Sequence, residues 1–129
     1  MMIYNAKGSD KLCVVSDSLS AAGMPTDGRS YKIGAGDNAQ RIVASDGVAR
    51  TEQGIFAGSI TPVLKMVKNI TEWGIPFVEA VKMGSLIPAR VIGEDSRIGS
   101  VKVGKLADIC IIDKHFNVKN IIIDGQIIK

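Results

Sequence analysis

Asp17 is the residue of this chain whose type and position most clearly suit chemistry. It follows four apolar residues at positions 12–15 and lies in the stretch Val-Val-Ser-Asp-Ser. An apolar run without alternation predicts a buried parallel strand covered on both faces. Barrel and open α/β enzymes place catalytic groups at the carboxyl ends of such strands. An aspartate here can also cap or tie down the small-residue loop at 21–28. From these residues alone both roles stay open.

A second candidate site is the short stretch Phe56-Ala57-Gly58, which is followed by Ser59. The sequence predicts that it lies just before a helix, because Pro62 suits the first helical position. Backbone N–H groups near a helix N-terminus can contact an oxygen-rich ligand. Neither this stretch nor Asp17 is a complete active site, since a self-contained enzyme needs several convergent polar groups.

Other motifs contribute little chemistry. His115 is the only histidine, so the chain cannot build a multi-histidine metal site, and its neighbours predict an exposed turn. The stretch 34–39 matches a loose dinucleotide fingerprint, but a β-branched run follows it where the fingerprint requires a helix. We therefore interpret it as a turn. The basic loop 102–105 could hold an anion, although a solvated loop is the favoured interpretation. The carboxylates at positions 94, 95, 108 and 113 are predicted to be surface charges.

Composition excludes several classes of function. The chain has 129 residues, of which 46% are hydrophobic, enough to bury a real core. A net charge of +3 with dispersed basic residues and only 5% aromatic residues argues against nucleic-acid binding. No apolar run reaches membrane-spanning length, and the first residues lack a signal-peptide core. We therefore expect a cytoplasmic protein without a membrane partner. Cys13 and Cys110 lie in apolar β-like runs and are predicted to be buried free thiols.

Three short β-like runs at 31–33, 40–44 and 48–51 come next along the chain. Asp46-Gly47 separates the second from the third, and Asp-Gly between strand formers is a strong hairpin signal. The sequence therefore predicts a small antiparallel sheet in this region.

Helical spacing of apolar residues begins after Pro62. One helix is predicted from there to Trp73, with Gly74 ending it. A second should start at Pro76 and break at Pro88, before a short last turn at 89–93. The residues expected to face inward on the second helix are Phe77, Val78, Val81 and Leu86.

The chain returns to β-like patterns after Gly99. Strands are predicted at 107–112 and 118–123, and Asp124-Gly125 should turn the chain into a last strand at 126–128. Strands, then helices, then strands again predict an α+β fold class.

Several of these segments match a known family in their order and spacing. They are Val-Val-Ser-Asp-Ser at 14–18 with Ala-Ala-Gly-Met-Pro at 21–25, Phe-Ala-Gly-Ser at 56–59, Ser-Leu-Ile-Pro-Ala-Arg at 85–90, and Gly-Lys-Leu-Ala-Asp at 104–108. Together they resemble the C-terminal part of N-acetylglucosamine-6-phosphate deacetylases, in the amidohydrolase superfamily. The resemblance extends over about residues 10–129.

The resemblance implies a fold that this chain holds only in part. Members of the family are (β/α)8 barrels carrying a small β-sandwich, and a barrel alone takes about 250 residues. Residues 1–93 would be the end of the barrel domain, with its last strand at 12–16 and the helices that follow. Residues 94–129 would be the C-terminal strands of the sandwich. The resemblance therefore implies a fragment of a longer enzyme.

The resemblance also implies a reaction. A divalent metal, zinc or iron, would polarise the acetamide carbonyl and lower the pKa of its water. Asp17 would accept that water's proton and pass it to the departing amine. Phe56, Ala57 and Gly58 would contact the amino-sugar phosphate substrate. The family's metal ligands lie upstream, so this chain would supply no metal ligand, hold no metal and be inactive alone.

The alternative is a non-catalytic β-rich structural or assembly module. In either case the strands at 109–112 and 121–123 would lack sandwich partners. Unpaired strand edges associate readily between chains. We therefore expect a homo-oligomer.

Overall fold

A computed structural model of the chain describes residues 1–45 and 47–129, without the side chain of Asn38. The chain divides into two compact units. The central unit is Val15–Met66, and the terminal unit combines Met1–Val14 with Val67–Lys129. Both strands and helices are present in separate groups, which confirms the predicted α+β class.

The central unit is built on a four-stranded antiparallel sheet in the order β1-β2-β3-β4. Its strands are β1 (Asp27–Ile33), β2 (Gln40–Ser45), β3 (Val48–Thr51) and β4 (Phe56–Gly58). The predicted hairpin is confirmed, because β2 pairs with β3 up to the pair Ser45 and Val48. Asp46 lies outside the described residues. Gly47 has φ +77°, a left-handed conformation that glycine adopts at low cost and that tight hairpin turns require.

Small side chains form the core of the central unit. Ile42, Ala44 and Ala49 are completely buried and pack with Ala21 and Ile60. Alternation along β2 explains this arrangement, since Ile42 and Ala44 are two residues apart and therefore point to the same face. The core lies under one face of the sheet, and β4 is an edge strand of that sheet.

The terminal unit contains most of the helical residues. Its helices are α1 (Met2–Lys7), α3 (Phe77–Gly84) and α4 (Leu86–Val91), while α2 (Val63–Glu72) begins in the central unit and ends in this one. The helices predicted after Pro62 and Pro76 are confirmed, whereas α1 was not predicted. No helix of the described residues is long and apolar enough to cross a membrane.

The prediction of the buried face of α3 was wrong. Val78 is 74% exposed and Phe77 is 47% exposed, while Ala80 and Met83 are buried together with Val67 and Ile75. The helix carries apolar residues on more than one side, so the periodicity alone could not select the buried stripe. Trp73, which shares the helical spacing of α2, is also exposed.

The break between α3 and α4 lies at Ser85 and not at Pro88. Ser85 has φ −137° and ψ −71°, and its hydroxyl donates to the Val81 carbonyl oxygen at 2.7 Å. Pro88 is the third residue of α4, within the first turn, where its missing N–H has no intrahelical partner to lose.

The terminal unit ends in a three-stranded antiparallel sheet, in the order β5 (Ile109–Ile112), β6 (Val118–Ile123) and β7 (Gln126–Ile127). These strands confirm the predicted ones, although β5 begins two residues later than expected. Pairing continues past β7, because the Ile128 N–H donates to the Ile121 carbonyl at 2.8 Å.

Two aspartates hold the turns of this sheet, which the prediction of simple surface charges missed. Asp113 Oδ1 accepts from the backbone N–H groups of His115 at 2.8 Å and Asn117 at 2.9 Å. Asp108 Oδ1 accepts from the Asp124 N–H at 2.8 Å. The side-chain amide of Asn117, with these backbone donors, holds the pKa of the Asp113 carboxyl far below its usual range.

The predicted buried strand at 12–15 is not found among the described residues. Leu12 and Val14 are half-buried, whereas Cys13 and Val15 are exposed. A parallel strand pairs with a neighbouring strand, whereas here the Val14 N–H donates to the carbonyl oxygen of Met83 in α3, at 2.9 Å. Cys13 and Cys110 are free thiols as predicted, but the prediction that they are buried was wrong, because both are exposed.

Candidate functional site

The two predicted site segments lie next to each other in the central unit. Ser18 and Ser59 form a parallel β-bridge, and the Leu19 N–H donates to the Ser59 carbonyl oxygen at 2.9 Å. Asp17 comes directly before one bridge residue, and Gly58 comes directly before the other. The fold therefore brings together two stretches that are far apart in the sequence.

Asp17 is exposed and has φ +44°. This left-handed conformation is uncommon for residues other than glycine, although aspartate tolerates it better than most. Its carboxylate has no hydrogen-bond or ion-pair partner within residues 1–45 and 47–129. A capping role would require such a bond. The carboxylate is therefore available to a ligand.

The stretch Phe56–Gly58 is an edge strand and not the helix-adjacent loop that the sequence predicted. It is β4, which pairs Phe56 with Arg50 and Gly58 with Ala49, with an irregularity between the two pairs. The helix α2 begins only at Val63, so its N-terminal N–H groups are not those of this stretch.

The first two residues of β4 differ in exposure. The Phe56 side chain is 62% exposed, while Ala57 packs against the buried core. After the strand, Ser59 Oγ accepts from the Thr61 N–H at 3.2 Å and turns the chain towards α2. An exposed ring on a strand anchored by its neighbour is suited to contacting a ligand.

Leu19 fits against Gly58. A Cβ atom at position 58 would lie 3.0 Å from both Cγ and Cδ2 of Leu19, closer than carbon atoms normally approach. Gly58 also has φ +146°, a conformation that side chains rarely adopt. Only glycine meets both requirements, which explains this residue type at the end of β4.

The sequence of this chain matches a known protein family. The sequence profile of the amidohydrolase family matches residues 11–128. The chain belongs to the amidohydrolase family.

Relatives of this amidohydrolase act on amino-sugar phosphates, according to their names. The chain is 34% identical over 118 residues to the N-acetylglucosamine-6-phosphate deacetylase of Haemophilus influenzae, covering 91% of this chain and 30% of that protein. It is 38% identical over 119 residues to the putative N-acetylgalactosamine-6-phosphate deacetylase of Escherichia coli K12, covering 92% of this chain and 68% of that protein. The chain thus spans about a third of the first relative's length.

Solved structures give the same picture of the fold. The N-acetylglucosamine-6-phosphate deacetylase of Pasteurella multocida superposes with a TM-score of 0.85 at 32% identity, over 98% of this chain and 32% of that one. The enzyme of the same name from Thermotoga maritima superposes with a TM-score of 0.79 at 30% identity, over 98% and 33%. This amidohydrolase therefore shares the local fold of part of those larger chains.

Amidohydrolases are generally metal-dependent, and a metal centre needs several ligating side chains close together. Within residues 1–45 and 47–129, no group of three or more His, Cys, Asp or Glu side chains could hold an ion. His115 lies in the turn between β5 and β6, in the terminal unit. The described part of this amidohydrolase does not fit a metal centre of its own.

Lys105 is bonded within its own loop and is not a free cation for an anionic ligand. Its ammonium donates to Ser100 Oγ at 2.7 Å, to the Ile98 carbonyl at 3.0 Å and to the Asp95 carbonyl. These three acceptors use all three donors of an ammonium group. Sequence reasoning missed this role, because nothing in a Gly-Lys pair distinguishes a loop-closing lysine from a solvated one.

Proposed function

We propose that this amidohydrolase chain supplies the proton-transferring carboxylate and part of the substrate-contacting surface of an N-acetylhexosamine-6-phosphate deacetylase. The observation that carries the proposal is the bridge between Ser18 and Ser59, which joins the segment of Asp17 to that of Phe56–Gly58. The names of the relatives support the substrate class. They differ in the sugar, glucosamine or galactosamine, so both epimers are candidates.

Asp17 would carry the proton in this reaction. Water adds to the acetamide carbonyl while the Asp17 carboxylate accepts its proton, and the carboxylic acid then gives that proton to the amine as the C–N bond breaks. The products are acetate and the free amino sugar phosphate. A carboxylate without a partner among the described residues can accept this proton without first losing a hydrogen bond.

Phe56, Ala57 and Gly58 would contact the sugar. The exposed Phe56 ring offers an apolar surface, and the irregular pairing of β4 leaves backbone groups for hydrogen bonds. The zinc or iron on which the family's chemistry depends would be held by residues other than those described.

The superpositions on larger chains support a proposal about architecture. Residues 1–93 would form the end of a (β/α)8 barrel, and residues 94–129 would join a small β-sandwich. The exposed apolar residues Ile111 and Ile123 on β5 and β6 support self-association into a homo-oligomer. A monomer by light scattering at all concentrations would contradict the oligomer.

A chimera tests the function most directly. In it, this chain replaces the matching segment of the Haemophilus influenzae deacetylase, and acetate release from both N-acetylhexosamine 6-phosphates is measured with zinc or ferrous iron. We expect activity on at least one epimer. Asp17→Asn should lower kcat by about 10²–10⁴-fold, the usual contribution of general acid–base catalysis.

The control is Asp27→Asn, because Asp27 is another exposed carboxylate of the central unit, paired with Arg29 at 3.0 Å. It should leave kcat unchanged. The 129-residue chain assayed alone should show no turnover, since its described residues form no metal centre of their own. A folded chimera inactive on both epimers would favour a non-catalytic module and contradict the proposal.

A further inference from the structure

We propose that Leu19 is the positioning residue that fixes Asp17 relative to the strand Phe56–Gly58. The proposal rests on the function proposed for Asp17. The residues that carry the inference all lie within the central unit, and the experiment that tests it does not require enzymatic activity.

The main chain of Leu19 is held on two sides. Its N–H donates to the Ser59 carbonyl, and its own carbonyl accepts from the Ala22 N–H at 2.9 Å. The first bond ties the residue to the end of β4, and the second closes the turn that leads to the buried Ala21. Leu19 therefore joins the segment of Asp17 both to β4 and to the core.

The side chain of Leu19 adds a steric contact to these bonds. It packs against the core cluster that contains Ile42 and Ala44, and it occupies the space that a side chain at position 58 would need. Leucine and glycine thus interlock, because the missing Cβ of Gly58 makes room for the branched end of Leu19. Sliding one segment along the other would break this contact and the bond to Ser59 together.

Asp17 has no comparable attachment of its own. Its side chain makes no hydrogen bond to the described residues, and its left-handed backbone needs support from the surrounding chain. The nearest anchored residues are Ser18, which forms the bridge to Ser59, and Leu19, which bonds to Ser59 and packs against Gly58. The position of the carboxylate relative to β4 therefore depends on Leu19.

NMR of the 129-residue chain tests the inference. Leu19→Ala and Gly58→Ala should each speed exchange of the position-19 amide at least about tenfold, as local opening becomes easier. Both should move the ¹³Cα shift of Asp17, which reports its backbone conformation, while the amides of Ile42 and Ala44 stay protected. Leu19→Met should keep the amide exchange rate and the Asp17 ¹³Cα shift of the parent chain, since methionine can fill the same space.

Gly54→Ala is the matched control. Gly54 also has a left-handed φ, +80°, but a Cβ there would meet nothing within 4 Å. Gly54→Ala should leave the ¹³Cα shift of Asp17 and the exchange rate of the Leu19 amide unchanged. In the double variant Leu19→Ala with Gly58→Ala, the shift of Asp17 should move less than the sum of the two single changes, because the clash has been removed.

Unchanged Asp17 shifts in Leu19→Ala, with Ile42 still protected, would overturn the inference and leave the proposed reaction standing. The inference would also be overturned if Leu19→Met changed the ¹³Cα shift of Asp17 as much as Leu19→Ala does. Conversely, an active Asp17→Asn chimera would refute the proposed function, and the NMR result would still decide whether Leu19 fixes the segment.

Discussion

The central and terminal units are stabilised in different ways. In the central unit, a small apolar core and main-chain pairing hold the sheet, and the Asp17 carboxylate has no partner among the described residues. In the terminal unit, side chains far apart in the sequence bind one another: the Tyr4 hydroxyl donates to Glu79 at 2.7 Å, and Asp10 pairs with Lys82. Glu79 and Asp10 of the terminal unit thus serve stability, while Asp17 is available for chemistry.

The largest effect should follow from emptying the core of the central unit. Ile42→Ala removes the largest completely buried side chain and should cost about 2–5 kcal/mol of unfolding free energy, the usual range for such a cavity. Urea denaturation measures the loss, and amide exchange should show it first in β1–β3. Met83→Ala is the counterpart in the terminal unit and should expose the amides of α2 and α3. A loss below about 1 kcal/mol for Ile42→Ala would contradict the description of this core.

A smaller effect should follow from removing the loop-closing ammonium of the terminal unit. Lys105→Met leaves the acceptors in loop 95–100 without their donor and should cost about 1–3 kcal/mol. Lys102→Met is the matched control, because Lys102 lies in the same loop but is exposed. It should change the unfolding free energy by less than about 0.5 kcal/mol. If the two substitutions lowered the unfolding free energy equally, Lys105 would not be a loop-closing residue distinct from Lys102.

The smallest effect concerns stability in acid. The terminal unit should become less stable at low pH, because its paired carboxylates are then protonated. A hydrogen bond from Lys82 lowers the pKa of Asp10, and one from the Tyr4 hydroxyl lowers the pKa of Glu79. The unfolded chain then binds more protons in acid, so this contribution is complete above about pH 5 and is lost as the pH falls through the folded-state pKa values.

The double variant Asp10→Asn with Glu79→Gln should flatten the decline of the urea midpoint below about pH 5. The loss at neutral pH should be modest, since both groups are near the surface and solvent screens exposed pairs. If the double variant follows the same pH profile as the parent, these two carboxylates are not responsible for acid sensitivity.

Much of the fold was predictable because its signals are local. Alternation in β2 and the Asp-Gly pair were enough to predict the hairpin, and the strands β5 and β6 followed from dense runs of β-branched residues. The buried face of α3 was not predictable, because Val78 and Met83 are both apolar and only the neighbouring cluster decides between them. The exposure of Cys13 and Val15 likewise depends on strand partners that no local pattern reveals.

The candidate site was predictable in its residue types and not in its arrangement. A predicted strand end and the family resemblance singled out Asp17, and a predicted helix start and the same resemblance singled out Phe56–Gly58. Their contact depends on the bridge between Ser18 and Ser59 and on the fit of Leu19 against Gly58, which are long-range features. The structural work of Lys105, Asp108 and Asp113 was hidden for the same reason.

Acetate release by the chimera is the decisive assay for proton transfer by Asp17. The predicted result is that Asp17→Asn lowers kcat by at least about a hundredfold, while Asp27→Asn leaves it within twofold of the parent. If Asp17→Asn keeps the activity of the parent chimera, Asp17 does not carry the proton and the proposed function is wrong.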